Sequence, residues 1–126
     1  MSDHIVSAFT EELDKLAADI LRMGGIVETM ILDACSALNK NDVDVARDVV
    51  ARDAQVDKLE AEVERQIVSL IARRQPMAHD LRAVFSALKV VGELERIGDL
   101  SKNIAKRTQR LDENVGVSMR KGIFRM

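Results

Sequence analysis

Two pairs of carboxylates have the spacing that could hold a metal ion. Glu95 and Asp99 are four residues apart, and so are Asp53 and Asp57. Residues at i and i+4 of an α-helix lie one turn apart on the same face, so each pair would present its carboxylates together. Several carboxylate oxygens are the ligands that Mg²⁺, Mn²⁺ or oxo-bridged iron prefer. The four acids are therefore candidate metal ligands.

The same pairs have an ordinary alternative interpretation. Like charges at this spacing repel by only about 0.2–0.5 kcal/mol, and the cations Lys58, Arg96 and Lys102 are close to them in sequence. Acidic pairs are common on solvated helices. Spacing alone thus leaves both a metal site and a charged, solvated face open.

The sequence lacks the residue combinations that other catalytic and ligand-binding sites require. The chain has two histidines, His4 and His79, and neither forms a recognisable nucleophile arrangement with Cys35 or a serine. No glycine-rich phosphate loop precedes a helix, and the Glu-x-x-His motif of di-iron bundles does not occur. Cys35 lies in an apolar helical pattern, which predicts that it packs as a small hydrophobe. We therefore expect no enzymatic activity.

The composition restricts the fold and the partners. Of 126 residues, 47% are hydrophobic but only 2% are aromatic, and there is one proline, which excludes an all-β fold. With 19 basic against 21 acidic residues, the chain lacks the strongly basic surface that nucleic acid or an anionic membrane requires. No apolar run approaches the roughly 18 residues of a membrane span, and the N-terminus does not resemble a signal peptide. We expect one cytoplasmic domain that binds no nucleic acid and does not insert into a membrane.

Apolar residues recur every three or four positions in three segments, which predicts three amphipathic helices. The first runs from about residue 5 to residues 39–41. The second begins with a cap at Asn41 or Asp42 and ends before Pro76, because a residue preceding proline is driven out of the helical region. Its apolar stripe is interrupted at Asp53, where the pattern allows a kink.

The third helix is predicted from about Met77 to about Leu111. Its predicted inward-facing residues are Leu81, Val84, Phe85, Leu88, Val91, Leu94, Ile97 and Ile104. Three such helices joined by short loops bury their apolar stripes by packing against one another. The predicted fold is an all-α, elongated antiparallel three-helix bundle over residues 1–114. Residues 115–126 show no sustained period and are predicted to be an irregular tail or the start of a linker.

Several sequence motifs in this pattern resemble those of the PhoU family of phosphate-transport regulators. The similarity covers residues 4–111 and is most specific in two stretches of the third helix and its approach. They are Gln75-Pro76-Met77-Ala78-His79-Asp80-Leu81-Arg82 and Glu93-Leu94-Glu95-Arg96-Ile97-Gly98-Asp99.

The resemblance implies a function and a set of partners. It implies a cytoplasmic, non-enzymatic negative regulator that links the ATPase subunit of a phosphate ABC transporter to a phosphate-sensing histidine kinase. Family members carry Glu/Asp-x-x-x-Asp motifs that bind iron, zinc or other metal clusters, and Glu95 with Asp99 and Asp53 with Asp57 match them. The resemblance thus implies a divalent-metal, iron or zinc cofactor at these four acids.

The chain also departs from the family pattern. Typical members are tandem repeats of two three-helix units, whereas this sequence contains one unit. We therefore expect the chain to form a homo-oligomer such as a homodimer, with Phe9, Met23 or Met30 contributing to the contact. Two alternatives stay open, a purely structural helical oligomerisation module and a carboxylate-metal hydrolase.

Overall fold

The computed structural model describes the backbone of residues 2–74 and 78–125 and the side chains of residues 8–73 and 80–113. Three helices account for all of this backbone except Asn41 and Asp42: α1 covers Ser2–Lys40, α2 covers Val43–Arg74 and α3 covers Ala78–Arg125. Each helix packs against the other two. The predicted all-α three-helix bundle is confirmed.

Two ion pairs show that α1 and α2 are antiparallel. Arg52 of α2 reaches Asp33 of α1 with an N–O distance of 2.6 Å. Arg73, near the end of α2, reaches Glu12, near the start of α1, at 3.3 Å. At about 1.5 Å per residue, the 39 residues of α1 extend over about 60 Å, so the bundle is long and its core is thin.

The turn between α1 and α2 uses the residues expected there. Asn41 has a φ of 55°, the left-handed conformation that asparagine tolerates at a helix C-terminus. The backbone N–H of Asp42 donates to the carbonyl of Ala37 (2.9 Å), and the Asp42 side chain accepts from the N–H of Val45 (3.1 Å), which caps α2. The Asn41 amide also donates to Asp112 of α3 (3.0 Å), which places the C-terminal end of α1 beside α3 at Asp112, before α3 ends at Arg125.

The core is a seam in which buried residues recur at seven-residue intervals. On α2, Val49, Val56 and Val63 are fully buried, and on α1 Met23 and Met30 are fully buried. A seven-residue repeat keeps one face of each helix toward its neighbours along its whole length. The remaining members of the seam are Leu16, Val27, Ala34, Ala37, Ala46, Ile67, Leu70, Val84, Val91 and Ala105.

The inward face of α3 agrees with the predicted one only in part. Phe85 is 56% exposed, Leu88 37% and Ile97 39%, so the prediction that they belong to the core is wrong. Val84 and Val91 belong to the same predicted face and are buried, so this part of the prediction is confirmed; Leu88 and Ile97 flank them. Apolar residues occupy neighbouring positions around α3, so their spacing specifies a helical period but leaves the phase of the buried face open.

Two residues of the apolar stripes behave differently from their sequence pattern. Cys35 is exposed, because Ala34 takes the adjacent buried position, so its predicted packing as a core hydrophobe is wrong. Asp53 does not interrupt α2, which is one helix from Val43 to Arg74. Its side chain is buried instead and forms an ion pair with Lys102 of α3.

The backbone of α3 continues to Arg125, so the predicted end of the helix near Leu111 and the irregular conformation of the tail are wrong. No proline follows Pro76 to remove a helical N–H, and the two glycines of the tail, Gly116 and Gly122, cost about 1 kcal/mol each without blocking a helix. The division of the chain into a domain over 1–114 and a linker beyond it stays a prediction. Within the described residues, no helix combines the length and apolar content needed to cross a membrane.

Truncating a buried apolar side chain should lower the free energy of unfolding more than truncating a partly exposed one. Met30→Ala should lower the free energy of unfolding by about 2–5 kcal/mol, because it leaves a cavity in the seam. Leu88→Ala should cost less than half as much, because Leu88 is already 37% exposed. Urea unfolding followed by circular dichroism measures the free energy of unfolding of both variants. Equal losses would indicate that Leu88 contributes to the core as much as Met30 does.

Candidate metal centre

Three carboxylates meet at the interface of α2 and α3. Asp57 and Glu60 of α2 and Glu95 of α3 each offer an oxygen atom within 4.8 Å of the others. Glu60 and Glu95 are half-buried, and Asp57 is exposed. We call these three residues the acidic cluster.

Helix geometry explains why the cluster forms. Asp57 and Glu60 are three residues apart, so they share one face of α2. The seam brings α3 close to that face at Gly98, which is buried, and a methyl group at this position would lie 3.5 Å from Val56 Cγ1. Glu95, three residues before Gly98, is therefore carried to the edge of the interface, where it meets Glu60.

The electrostatics of the cluster favour binding of a proton or another cation. Partial burial, a hydrogen bond with Glu95 and the negative charges of Glu95 and Glu64 raise the pKa of Glu60 to about 8. Burial and the nearby charge of Asp53 raise the pKa of Asp57. Both shifts have the same physical cause, because carboxylates brought together out of water disfavour each other's ionised form.

A buried ion pair lies next to the cluster. Asp53 is 4% exposed, and its Oδ2 accepts a hydrogen bond from Lys102 Nζ at 3.1 Å. This contact raises the pKa of Lys102 above its ordinary value. The other oxygen, Asp53 Oδ1, is buried and has no hydrogen-bond partner among the residues that the structure describes.

The four predicted ligands thus have different surroundings. Asp57 and Glu95 come together in the acidic cluster, whereas Asp53 pairs with Lys102. Asp99 is exposed and acts on Asp57 through its charge, outside the three-oxygen group. That any of these residues binds a metal stays a prediction.

Glu60 is not among the metal ligands predicted from the sequence. Its position three residues after Asp57 places it on the same helical face, and that spacing was available from the sequence. What the sequence could not show is that Glu60 is the α2 residue opposite Glu95. This pairing depends on the register between the two helices.

A second surface feature lies on the opposite side of α3. The α1–α3 groove is a shallow channel in which Leu21 is 75% exposed and Val90 46% exposed. The α1–α2 face, in contrast, carries the ion pairs of Arg52 and Arg73 with α1. The lining residues of the groove are Leu13, Asp14, Leu16, Ala17, Ile20, Leu21, Ala83, Ala87 and Val90.

The predicted self-contact residues do not lie on a free surface. Met23 and Met30 have no exposed area and belong to the seam, so they cannot contribute to a contact with another molecule. Phe9 is half-buried against the core. The exposed apolar residues of the α1–α3 groove take their place as the candidate contact surface.

The fold and its surfaces define an all-α three-helix protein with an acidic cluster on one face and an apolar groove on another. Residues 20–108 match the family model described as the PhoU domain. Because this match covers most of the chain, the chain belongs to the PhoU family. The resemblance found in the sequence motifs is confirmed.

Three similar proteins support this assignment. A phosphate-specific transport system accessory protein PhoU homolog of Caulobacter vibrioides is 47% identical over 113 residues, which are 90% of this chain and 49% of the relative. The accessory protein PhoU of Edwardsiella tarda is 40% identical over 106 residues, 84% of this chain and 44% of the relative. The crystal structure of PhoU from Pseudomonas aeruginosa superposes with a TM-score of 0.82 at 40% identity, covering 84% of this chain and 51% of that chain. This chain therefore spans about half the length of these relatives.

The raised pKa of Glu60 predicts a pH dependence of stability. Between its ordinary value of 4.5 and about 8, Glu60 holds its proton in the folded state and has lost it in the unfolded state. The free energy of unfolding therefore falls as pH rises from 5 to 8, by about 1–2 kcal/mol after allowance for solvent screening. Glu60→Gln should remove most of this fall and should be more stable than the wild type at pH 8.

Urea unfolding at a series of pH values, in the presence of a chelator, measures this effect. Glu28→Gln is the matched control, because Glu28 is an exposed glutamate on α1 away from the cluster. A wild-type fall that survives unchanged in Glu60→Gln would contradict the assignment to Glu60.

Proposed function

We propose that this chain is a non-catalytic regulatory module of phosphate uptake and phosphate-starvation signalling that works in the cytoplasm. In this role it acts as a negative regulator and adaptor between the ATPase subunit of a phosphate ABC transporter and a sensor histidine kinase. The observation that carries the proposal is the similarity, over 84–90% of the chain, to proteins named as accessory proteins of the phosphate-specific transport system.

The α1–α3 groove supports binding to a protein surface. An adaptor needs an exposed face whose burial offsets the entropy lost on association. Apolar area at the centre of an interface supplies most of this favourable free energy of binding. Leu21 and Val90 are the most exposed large apolar residues of the groove. We assign the groove to partner contact and infer that, in the isolated chain, a second copy covers it and produces a homo-oligomer.

Aspartate substitutions in the groove test this role. Leu21→Asp and Val90→Asp should each weaken binding to the ATPase subunit or to the kinase by about tenfold, equivalent to about 1.4 kcal/mol, because they place a charge in the contact. Val68→Asp is the matched control, since Val68 is 67% exposed but lies on α2 outside the groove. Pull-down with each partner, together with a reporter of phosphate-starvation genes, measures the effect.

Sedimentation of the same variants separates self-association from partner binding. The wild type should sediment above the mass of a 14.0 kDa monomer at tens of micromolar, and the groove variants as monomers. A folded wild-type chain that binds neither partner would contradict the adaptor role and favour the purely structural oligomerisation module.

We further propose that the acidic cluster holds a metal ion. The residues fit such an ion, because Asp57, Glu60 and Glu95 offer three hard oxygen ligands within 4.8 Å. The raised pKa values of Asp57 and Glu60 indicate that the negative charge there is not fully compensated. When bound, a divalent cation would neutralise the cluster and fasten α2 to α3. Asp99 also acts on Asp57 through its charge.

Titration with Mn²⁺ tests the metal site. The wild type should bind Mn²⁺ in calorimetry, and Glu60→Gln combined with Glu95→Gln should abolish binding, because two of the three oxygen ligands are lost. Binding should strengthen as pH rises from 6 to 9, since the proton on Glu60 competes with the cation up to a pH of about 8. Glu28→Gln combined with Glu113→Gln removes the same charge from exposed positions elsewhere and should leave binding unchanged.

Equal Mn²⁺ uptake by the cluster variant and the control variant would contradict the metal site. It would favour the alternative interpretation, in which these acids form a charged, solvated helix face. Hydrolytic turnover that requires Mn²⁺ and disappears in Glu95→Gln would favour the remaining alternative, a carboxylate-metal hydrolase.

A further inference from the structure

We propose that Lys102 is a built-in cation that neutralises Asp53 and keeps this carboxylate out of the metal site. The ion proposed above is then left to Asp57, Glu60 and Glu95. This inference rests on the proposed metal site and identifies the residue that limits which of the predicted ligands it can use.

Lys102 and Asp53 form a close ion pair in which the carboxylate is buried. Asp53 is 96% removed from solvent, and the Lys102 ammonium approaches its Oδ2 to 3.1 Å from α3. The Lys102 side chain is 31% exposed, so it enters the interface from its edge. A buried carboxylate is costly without a partner of opposite charge, and Lys102 supplies that partner within the chain.

The ion pair uses only one of the two carboxylate oxygens of Asp53. Asp53 Oδ1 is buried and has no hydrogen-bond partner among the described residues. Its carboxylate is one helical turn from Asp57, close enough for its charge to act on that residue. Asp53 therefore has an unpaired oxygen and lies one turn from a member of the acidic cluster, but its counter-charge is already in place.

Lys102 and a metal ion would compete for the same charge. The positive charge of Lys102 acts on Asp57 as well as on Asp53, and it opposes the effect of the neighbouring acids on Asp57. A second cation held by Asp53 would lie within a few ångströms of the ammonium and would be repelled by it. Removing the ammonium should thus convert Asp53 from the partner of a lysine into a metal ligand.

The experiment is Mn²⁺ titration of Lys102 variants of the full chain, by calorimetry and electron paramagnetic resonance. Lys102→Met keeps a long unbranched side chain without the charge, and it should bind Mn²⁺ at least about tenfold more tightly, the scale on which groups around a metal site alter affinity. Lys102→Arg keeps the charge and should bind like the wild type. Lys89→Met, an exposed lysine earlier on α3, controls for the change in net charge.

The double variant Lys102→Met, Asp53→Asn separates a ligand from a distant charge. It should lose the gain of Lys102→Met, because the amide is a poor replacement for the carboxylate. Lys102→Met should also unfold at a lower temperature than the wild type in chelator and recover most of that loss when Mn²⁺ is added. Lys102→Gln, which retains a hydrogen-bond donor, serves in its place if the methionine variant does not fold.

The outcomes distinguish this inference from the proposed metal site. No gain in Lys102→Met, or an equal gain when Asp53 is asparagine, overturns the inference while leaving the acidic cluster as a site. Mn²⁺ binding in Lys102→Met that depends on Asp53, with none in the wild type, supports the inference and overturns the wild-type site. No binding in either protein overturns both.

Discussion

The mutual burial of three apolar seams is the interaction on which the rest of this structure depends. The seams repeat at seven residues and are built largely from small or medium side chains, with valine on α2 and with valine, glycine and alanine on α3. Such residues let the helices approach closely while filling a core only one seam wide. Residues that flank the seam are therefore within reach of the neighbouring helix, which is why Lys102 meets Asp53 and Glu95 meets Glu60.

The two binding surfaces proposed here share α3 but use different faces of it. Glu95 faces α2 and belongs to the acidic cluster, whereas Val90 faces α1 and lines the groove. A bundle with a core this thin leaves both flanks of the same helix close to solvent. Metal binding and protein binding can consequently be removed by separate substitutions, which makes the two proposals independent of each other.

The buried ion pair shows how this thin core accommodates a charged group. Polar groups in a thin core must be compensated locally, since little apolar burial is available to offset them. Lys102 compensates Asp53, whereas Asp57, Glu60 and Glu95 form no ion pair with any residue that the structure describes. Burial and the neighbouring acids raise the pKa of Asp57 and of Glu60. The described part of the α2–α3 interface thus contains one carboxylate with an ion-pair partner and three without one.

The sequence by itself determined the three helices, the turn at Asn41 and Asp42 and the bundle, because periodicity and capping are local signals. It also indicated four candidate metal ligands, of which Asp57 and Glu95 lie together in the acidic cluster. The tertiary structure decided the phase of α3, which exposes Leu88, and the register between α2 and α3, which brings Glu60 to Glu95 and Asp53 to Lys102. The physical reason is that local spacing specifies which residues share a face of one helix, whereas only packing between helices specifies what that face meets.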